Sequence, residues 1–275
     1  MTLSVVLITY NEEANLPRTL ASVVPLVSDG KGEIIVVDSG STDRTVEIAR
    51  SYRAKVFVED WKGYAAQKNS AIEKATGDWV LSLDADEEVE KVLAQEIGYL
   101  ICGEPKHFLN QGVPTRQSAL IASTINGFWV RRCNHFLGRW IKHGGFWPDP
   151  KVRLFRRGKG RCEERAVHET IRVEGGVRGI EEGALLHHSY PTLSDYIDHM
   201  NRYSSLGAEM FAGKGHGSFS LLNIVFRPLA TFIYNYFFRL GFLDGREGLL
   251  LHLYHAVYVS WKYAKAWELG RKQTQ

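Results

Sequence analysis

An α/β fold, built on a mainly parallel sheet with flanking helices, is predicted by two features of this sequence. Short β-branched runs alternate with helically spaced apolar residues over roughly the first hundred positions. Each apolar run also ends in a cluster of polar residues, where open parallel sheets bind their ligands. The first run is Leu3 to Thr9, closing on Tyr10-Asn11-Glu12-Glu13. Leu16, Leu20, Val23 and Val27 then recur at helical spacing, with the two glutamates where a first turn favours acids. Glu33 to Val37 reads as a second strand, closing on Asp38-Ser39-Gly40-Ser41, and Ser41 is a candidate N-cap for a helix over 42–53 with Asp43 in its first turn. Ala54 to Val58 is a third strand and Tyr64 to Ala75 a helix stopped near Gly77. Trp79 to Leu83 is a fourth strand, running into Asp84-Ala85-Asp86-Glu87-Glu88.

The middle of the chain, about 100–190, is rich in Gly, Trp, Arg and His. Ile125 to Arg131 and Val152 to Phe155 read as strands, joined through a loop over 138–149 whose aromatic and basic content suits substrate recognition. From Leu193 onward the pattern is helical.

Composition excludes several classes. With 275 residues, 44% hydrophobic and 24% charged, the chain is long and apolar enough to fold around a core. A net charge of +3 is too small to argue for a nucleic-acid partner. Cys102, Cys133 and Cys162 are odd in number and lack C-x-x-C spacing, which reads as reduced thiols in a cytosolic setting. The opening residues run straight into a buried strand, so no secretory signal is expected there.

Asp84 and Asp86 carry the chemistry. Two carboxylates one residue apart at the end of a buried strand concentrate negative charge, which is costly without a cation. Mg²⁺ and Mn²⁺ take oxygen ligands and bind through one or two carboxylates plus substrate phosphates. The same residues, with Glu87 and Glu88, also suit a solvated helix N-terminus. The buried run before them and the βαβ setting favour the ligand reading.

Taken together, Thr9-Tyr10-Asn11-Glu12, Asp38-Ser39-Gly40-Ser41-Thr42-Asp43 and Gly77-Asp78-Trp79 leading to Asp84-Ala85-Asp86-Glu87 resemble glycosyltransferase family 2, of the GT-A fold. Trp147-Pro148-Asp149, Arg153-Leu154-Phe155-Arg156, Val167-His168-Glu169, Leu186-His187-His188-Ser189-Tyr190 and Gly241-Phe242-Leu243-Asp244-Gly245 resemble its lipopolysaccharide-core β-glucosyltransferase branch. The resemblance implies that Tyr10, Asn11 and Glu12 lie along the nucleotide and that Asp38 contacts base or ribose. It implies that Lys68 touches the nucleotide. Arg153 is a candidate to assist the metal at the diphosphate, with a surface charge as the alternative. Asp86 would bind the metal with Asp84 beside it, and His187 would complete the shell. For Asp38 and Asp43 the alternative is helix capping alone. Glu169 is the expected general base, with Asp149 as the second candidate.

The tail from Phe219 to Trp267 is dense in aromatic and aliphatic residues with Arg227, Arg239, Arg246, Lys262 and Lys265 interspersed. Arg227-Pro228 interrupts its longest run, so amphipathic helices at a bilayer interface are expected rather than a span, with a packed helical bundle as the alternative. The expected division is a catalytic domain over 1–215 and a helical, membrane-associating region over 216–275. The expected activity is inverting transfer of a hexose, glucose, from a UDP-sugar to a lipid-linked glycan such as the lipopolysaccharide inner core. It would take place in the cytoplasm, peripherally on the inner face of the cytoplasmic membrane. The rivals are a polyprenyl-phosphate glycosyltransferase, a non-catalytic scaffold of the same shape and a nucleotidyltransferase. The last would want a Gly-rich, basic loop after the first strand, which Thr9-Tyr10-Asn11-Glu12 lacks.

Overall fold

The computed structural model describes residues 1–102, 124–163, 170–213 and 218–272. The chain divides into two compact units. The first holds the described residues of Met1–Arg132, Pro150–Arg165 and Glu169–His187, and the second those of Cys133–Asp149 and His188–Gln275.

In the first unit, β1 (Leu3–Thr9), β2 (Gly32–Asp38), β3 (Lys55–Val58) and β4 (Trp79–Leu83) are all parallel. The apolar runs of β1, β2 and β4 are almost wholly buried, as strands covered on both faces must be. Helices α1 (Leu16–Val27), α2 (Thr45–Ser51) and α3 (Tyr64–Glu73) connect them. Leu16, Leu20 and Val23 form the buried stripe of α1. β5 (Glu87–Val89) and α4 (Lys91–Cys102) follow β4. The far side of the sheet is mixed. β6 (Ile125–Val130) and β9 (Lys151–Arg156) are antiparallel to each other, β9 is antiparallel to β4, and β12 (Gly176–Gly179) closes the edge parallel to β6. β10 (Gly160–Cys162) and β11 (Ile171–Val173) form a small hairpin. The chain enters β7 (Arg132–Phe136) and β8 (Arg139–Trp140), whose hairpin lies in the second unit. The first residues of β13 (Leu185–Tyr190) pair antiparallel with β5.

Two local expectations are corrected. Helix α1 begins at Leu16, so Glu12 and Glu13 precede it, and Glu12 contributes its carbonyl to the amide of Leu16. Helix α2 begins at Thr45 rather than near Thr42. Asp43, not Ser41, accepts from the first-turn amide, because Ser41 spends its hydroxyl on Asp38. The Arg227-Pro228 break in the apolar run does not end the helical path, because of where Pro228 falls. It occupies the first turn of a helix that a π-turn over Leu222–Phe226 precedes, a geometry that tolerates the missing N–H.

In the second unit, α5 (Leu193–Ala212) starts with a full capping box between Thr192 and Asp195. A helical segment then runs through Leu222–Phe226, α6 (Arg227–Ile233) and Tyr234–Phe238, and a 3₁₀ turn at Gly241–Asp244 leads into α7 (Gly245–Lys272). Phe136, Ile141, Tyr196 and Leu251 form the core of this unit. His252 lies among them at 1% exposure with neither ring nitrogen hydrogen-bonded. Burial and then His255 push its pKa down to about 4 from 6.5. Between those values the unfolded chain binds a proton that the folded chain refuses, so stability falls as pH falls. His255, pushed down by burial, adds the same sign. Urea unfolding of the wild type is expected to lose up to roughly 2–3 kcal/mol across this window. His252→Met should flatten that slope, and an unchanged slope would contradict the assignment.

Candidate active site

The polar residues that end β1, β2 and β4 are tied to one another. At the end of β1, Asn11 adopts a left-handed backbone at φ 54° and its side-chain carbonyl accepts the amide of Thr42 at 2.8 Å. Its own amide donates to the Ser41 hydroxyl at 2.8 Å, the Glu12 amide to Thr45 Oγ1 at 2.8 Å and the Glu13 amide to Asp43 at 3.1 Å. Two loops that each strand end would leave mobile are thereby stapled together. Tyr10 projects from them, exposed.

Asp38 bonds within its own loop and to β1. It is 0% exposed, and its carboxylate accepts from Thr9 Oγ1, Ser41 Oγ and the amides of Gly40 and Ser41. In this structure it is the brace of the loop after β2, and all its oxygen capacity is spent inside the protein.

The Asp84-Ala85-Asp86 turn is fixed from below, because Thr19 of α1 donates to the Ala85 carbonyl at 2.6 Å. Asp84 is held by two cations: Lys68 Nζ of α3 lies 2.8 Å from one oxygen, and Arg153 of β9 bonds the other. Burial would raise the Asp84 pKa, but Arg153 and Lys68 outweigh it and hold the carboxyl well below its ordinary range. Arg153 also bonds Glu87, which is 0% exposed and takes a second cation, Arg132, at 3.2 Å. Burial works against the charged guanidinium of Arg153, and the two carboxylates more than compensate. Glu87 and Arg132 were not singled out in the sequence. Glu87 reads locally as one acid in an exposed run, and nothing within a few residues shows that strand pairing buries it.

This network revises the reason for expecting a metal. Asp84 and Glu87 are neutralised by Lys68, Arg153 and Arg132, so crowded negative charge alone does not call for a cation. Asp86 is different. Its carboxylate faces His187 Nε2 at 3.3 Å, the register of β13 on β5 setting His187 opposite Glu87. Burial raises its pKa, and His187 more than reverses the effect. The next residue along the strand, His188, stacks on His135. Glu12 closes the group: burial raises its pKa, the Asn15 amide offsets part of this, and Asp86, Asp43 and Asp84 add repulsion. Among the described residues no group of three or more His, Cys, Asp and Glu side chains is gathered for a metal. A carboxylate and an imidazole, both partly open, nevertheless fit Mg²⁺ or Mn²⁺, which fill their shells from substrate phosphates and water.

A family model described as glycosyl transferase family 2 matches residues 4–158, the span containing Asn11, Asp38, Lys68, Asp84, Asp86 and Arg153. The chain belongs to this family. It is therefore a glycosyltransferase of the GT-A fold. Among its relatives, the lipopolysaccharide core biosynthesis glycosyltransferase LpsC of Rhizobium meliloti is 30% identical over 272 residues, covering 97% of this chain and 92% of that one. An uncharacterized glycosyltransferase of Rickettsia typhi is 29% identical, covering 98% of this chain and 88% of the relative. A solved mannosyltransferase from Pyrobaculum calidifontis, in complex with GDP-Man and Mn²⁺, shares the fold at a TM-score of 0.52 and 14% identity, over 96% of this chain and 86% of that one.

The two base candidates stand differently in the described structure. Glu169 lies outside the described residues. Asp149 belongs to the second unit, where it accepts from Asn134 Nδ2 at 3.1 Å.

Proposed function

We propose that this glycosyltransferase inverts configuration as it moves a hexose, glucose, from a UDP-sugar to a lipid-linked glycan such as the lipopolysaccharide inner core. The observation that carries the donor side is the Asp86–His187 pair, set beside an Asp84 that holds Lys68 and Arg153 in place. Similarity to a lipopolysaccharide core glycosyltransferase along almost the whole chain supports the acceptor.

In this reading Tyr10, Asn11 and Glu12 line the nucleotide and Asp38 acts by shaping their loop. Lys68 and Arg153 face the diphosphate, and Asp86 with His187 would hold Mg²⁺ or Mn²⁺. When bound, that ion supplies neutralisation of the leaving diphosphate. The acceptor hydroxyl gives its proton to Glu169, or to Asp149 as the second candidate, and its oxygen bonds the anomeric carbon as the sugar–diphosphate bond breaks and UDP departs. Glu169→Gln is expected to lower kcat by about 10²–10⁴-fold with UDP affinity unchanged. The same loss in Asp149→Asn alone would assign the base to Asp149. A donor screen by product mass against extracted membrane glycolipid tests the whole reading. Absence of transfer from any UDP-sugar would sink it.

A face of the C-terminal region supports attachment to the inner face of the cytoplasmic membrane. Leu222, Val225, Phe226, Leu229, Ile233, Phe237 and Phe238 recur at helical spacing and are all exposed, Leu222 at 65% and Phe238 at 75%. No described helix is long and apolar enough to cross a membrane. In this reading residues 216–275 attach the catalytic region, 1–215, to the surface where its acceptor lies. Each large apolar side chain entering the interface contributes on the order of 1.5–3 kcal/mol. Leu222→Asp with Phe238→Asp should therefore cut vesicle partitioning by at least ~100-fold in flotation. Unaltered flotation would argue for a packed bundle instead.

A further inference from the structure

The loop over 138–149 is held in one shape by contacts far along the chain. Asp244, 2% exposed, accepts from the Lys142 amide at 3.2 Å, the His143 amide at 2.8 Å and His143 Nδ1 at 2.9 Å. The Gly144 amide donates to the Arg239 carbonyl at 2.9 Å, and the Ile141 amide to Asn134 at 2.9 Å. Gly144 and Gly145 have positive φ, and a Cβ on either would strike His252 or Arg239. Burying a carboxylate to fix a loop is costly unless the loop's shape matters.

What this fixed loop presents is aromatic and hydrogen-bonding. Trp140 and Trp147 pack edge to face at 5.1 Å, and Lys142 Nζ sits 4.3 Å over the Trp140 ring. His143 is one third exposed, and its Nδ1 is committed to Asp244. The carboxylate thus selects the tautomer with the proton on Nδ1 and leaves Nε2, across the ring, as an acceptor. Rigid aromatic surface beside the partly exposed His143 ring matches a pyranose, which offers an apolar C–H face and hydroxyls around its rim.

We infer that this loop is a preorganised saccharide subsite for the acceptor, with Trp140 and Trp147 as its apolar floor and His143 Nε2 accepting from a sugar hydroxyl. Asp244 is its positioning residue. The assignment rests on the glycosyl-transfer reading above and adds the place where the acceptor glycan sits.

Two readouts test it on the full-length enzyme with O-deacylated inner-core lipooligosaccharide as the probe. In steady-state transfer, His143→Ala and Asp244→Asn are expected to raise the acceptor KM about tenfold or more, with UDP affinity in Mn²⁺ within about twofold of wild type. His143→Gln, which keeps an acceptor oxygen, should recover much of that loss, whereas a purely structural role for His143 gives no such rescue. In the absence of donor, the glycan should quench tryptophan fluorescence in the wild type and less in Trp147→Phe. This second readout does not require transfer. A wild type that binds glycan but uses no UDP-sugar would overturn the donor reading and leave the subsite standing. Unchanged acceptor KM in His143→Ala, or equal losses of donor and acceptor affinity, would overturn the subsite. Should Asp244→Asn fail to fold, the exposed Lys142→Ala joins His143→Ala, and normal acceptor KM in both overturns it equally.

Discussion

Asp86→Ala is expected to lower sugar transfer by about 10²–10³-fold while leaving the folded protein almost as stable as the wild type. The asymmetry with its neighbour is the reason. Asp84 and Glu87 are locked to buried cations, so removing either leaves a charge stranded. Asp86 faces the His187 ring at 3.3 Å rather than a buried guanidinium or ammonium, so its removal strands no such cation. His187→Ala should show the same pattern to a smaller degree, because the carboxylate is the harder and better ligand for Mg²⁺ or Mn²⁺. The check is kcat/KM for transfer beside a thermal melt of each variant. A large fall in Tm for Asp86→Ala would mean that the carboxylate holds the fold rather than the reaction.

Arg153→Met is expected to act on the fold as well: a stability loss of roughly 3–5 kcal/mol, with a Tm lower by on the order of 10 °C. Arg153 Nη2 lies 2.5 Å from both Asp84 and Glu87, and Glu87 is fully buried. Without the guanidinium, Glu87 keeps Arg132 and Asp84 keeps Lys68, which places the loss toward the lower end of that range. Adding Glu87→Gln to Arg153→Met should restore part of the stability, and a double-mutant cycle measures how much. The pH dependence follows from Asp84. Its folded pKa lies well below 3.8, so its contribution is fully present above that value and is lost as pH falls below it. In Arg153→Met the folded pKa of Asp84 moves up toward 3.8, so the stability lost on acidification below that value should shrink. Additive single-variant effects would show that the bridge contributes little.

The parallel strands were legible because β1, β2 and β4 are buried on both faces and read as unbroken apolar runs with polar ends. Asp84 and Asp86 could be singled out for the same reason, at the end of one such run, whereas Asn11, Lys68 and His187 came from the family resemblance. What escaped was whatever depends on pairing across long separations. The Arg153–Glu87 bridge spans 66 positions and the His143–Asp244 bond 101, and no local pattern marks either. Asp38 shows a related limit. A strand-end carboxylate looks the same in sequence whether it faces a ligand or is consumed by Thr9, Gly40 and Ser41.

Calorimetric titration of UDP into wild type and Asp86→Ala, each with Mn²⁺ and with chelator, tests the central claim that Asp86 couples a divalent cation to the nucleotide diphosphate. The expected result is binding by wild type in Mn²⁺ that weakens by about 100-fold, some 2.7 kcal/mol, in chelator and likewise in Asp86→Ala. Equal UDP affinity in all four titrations would contradict it.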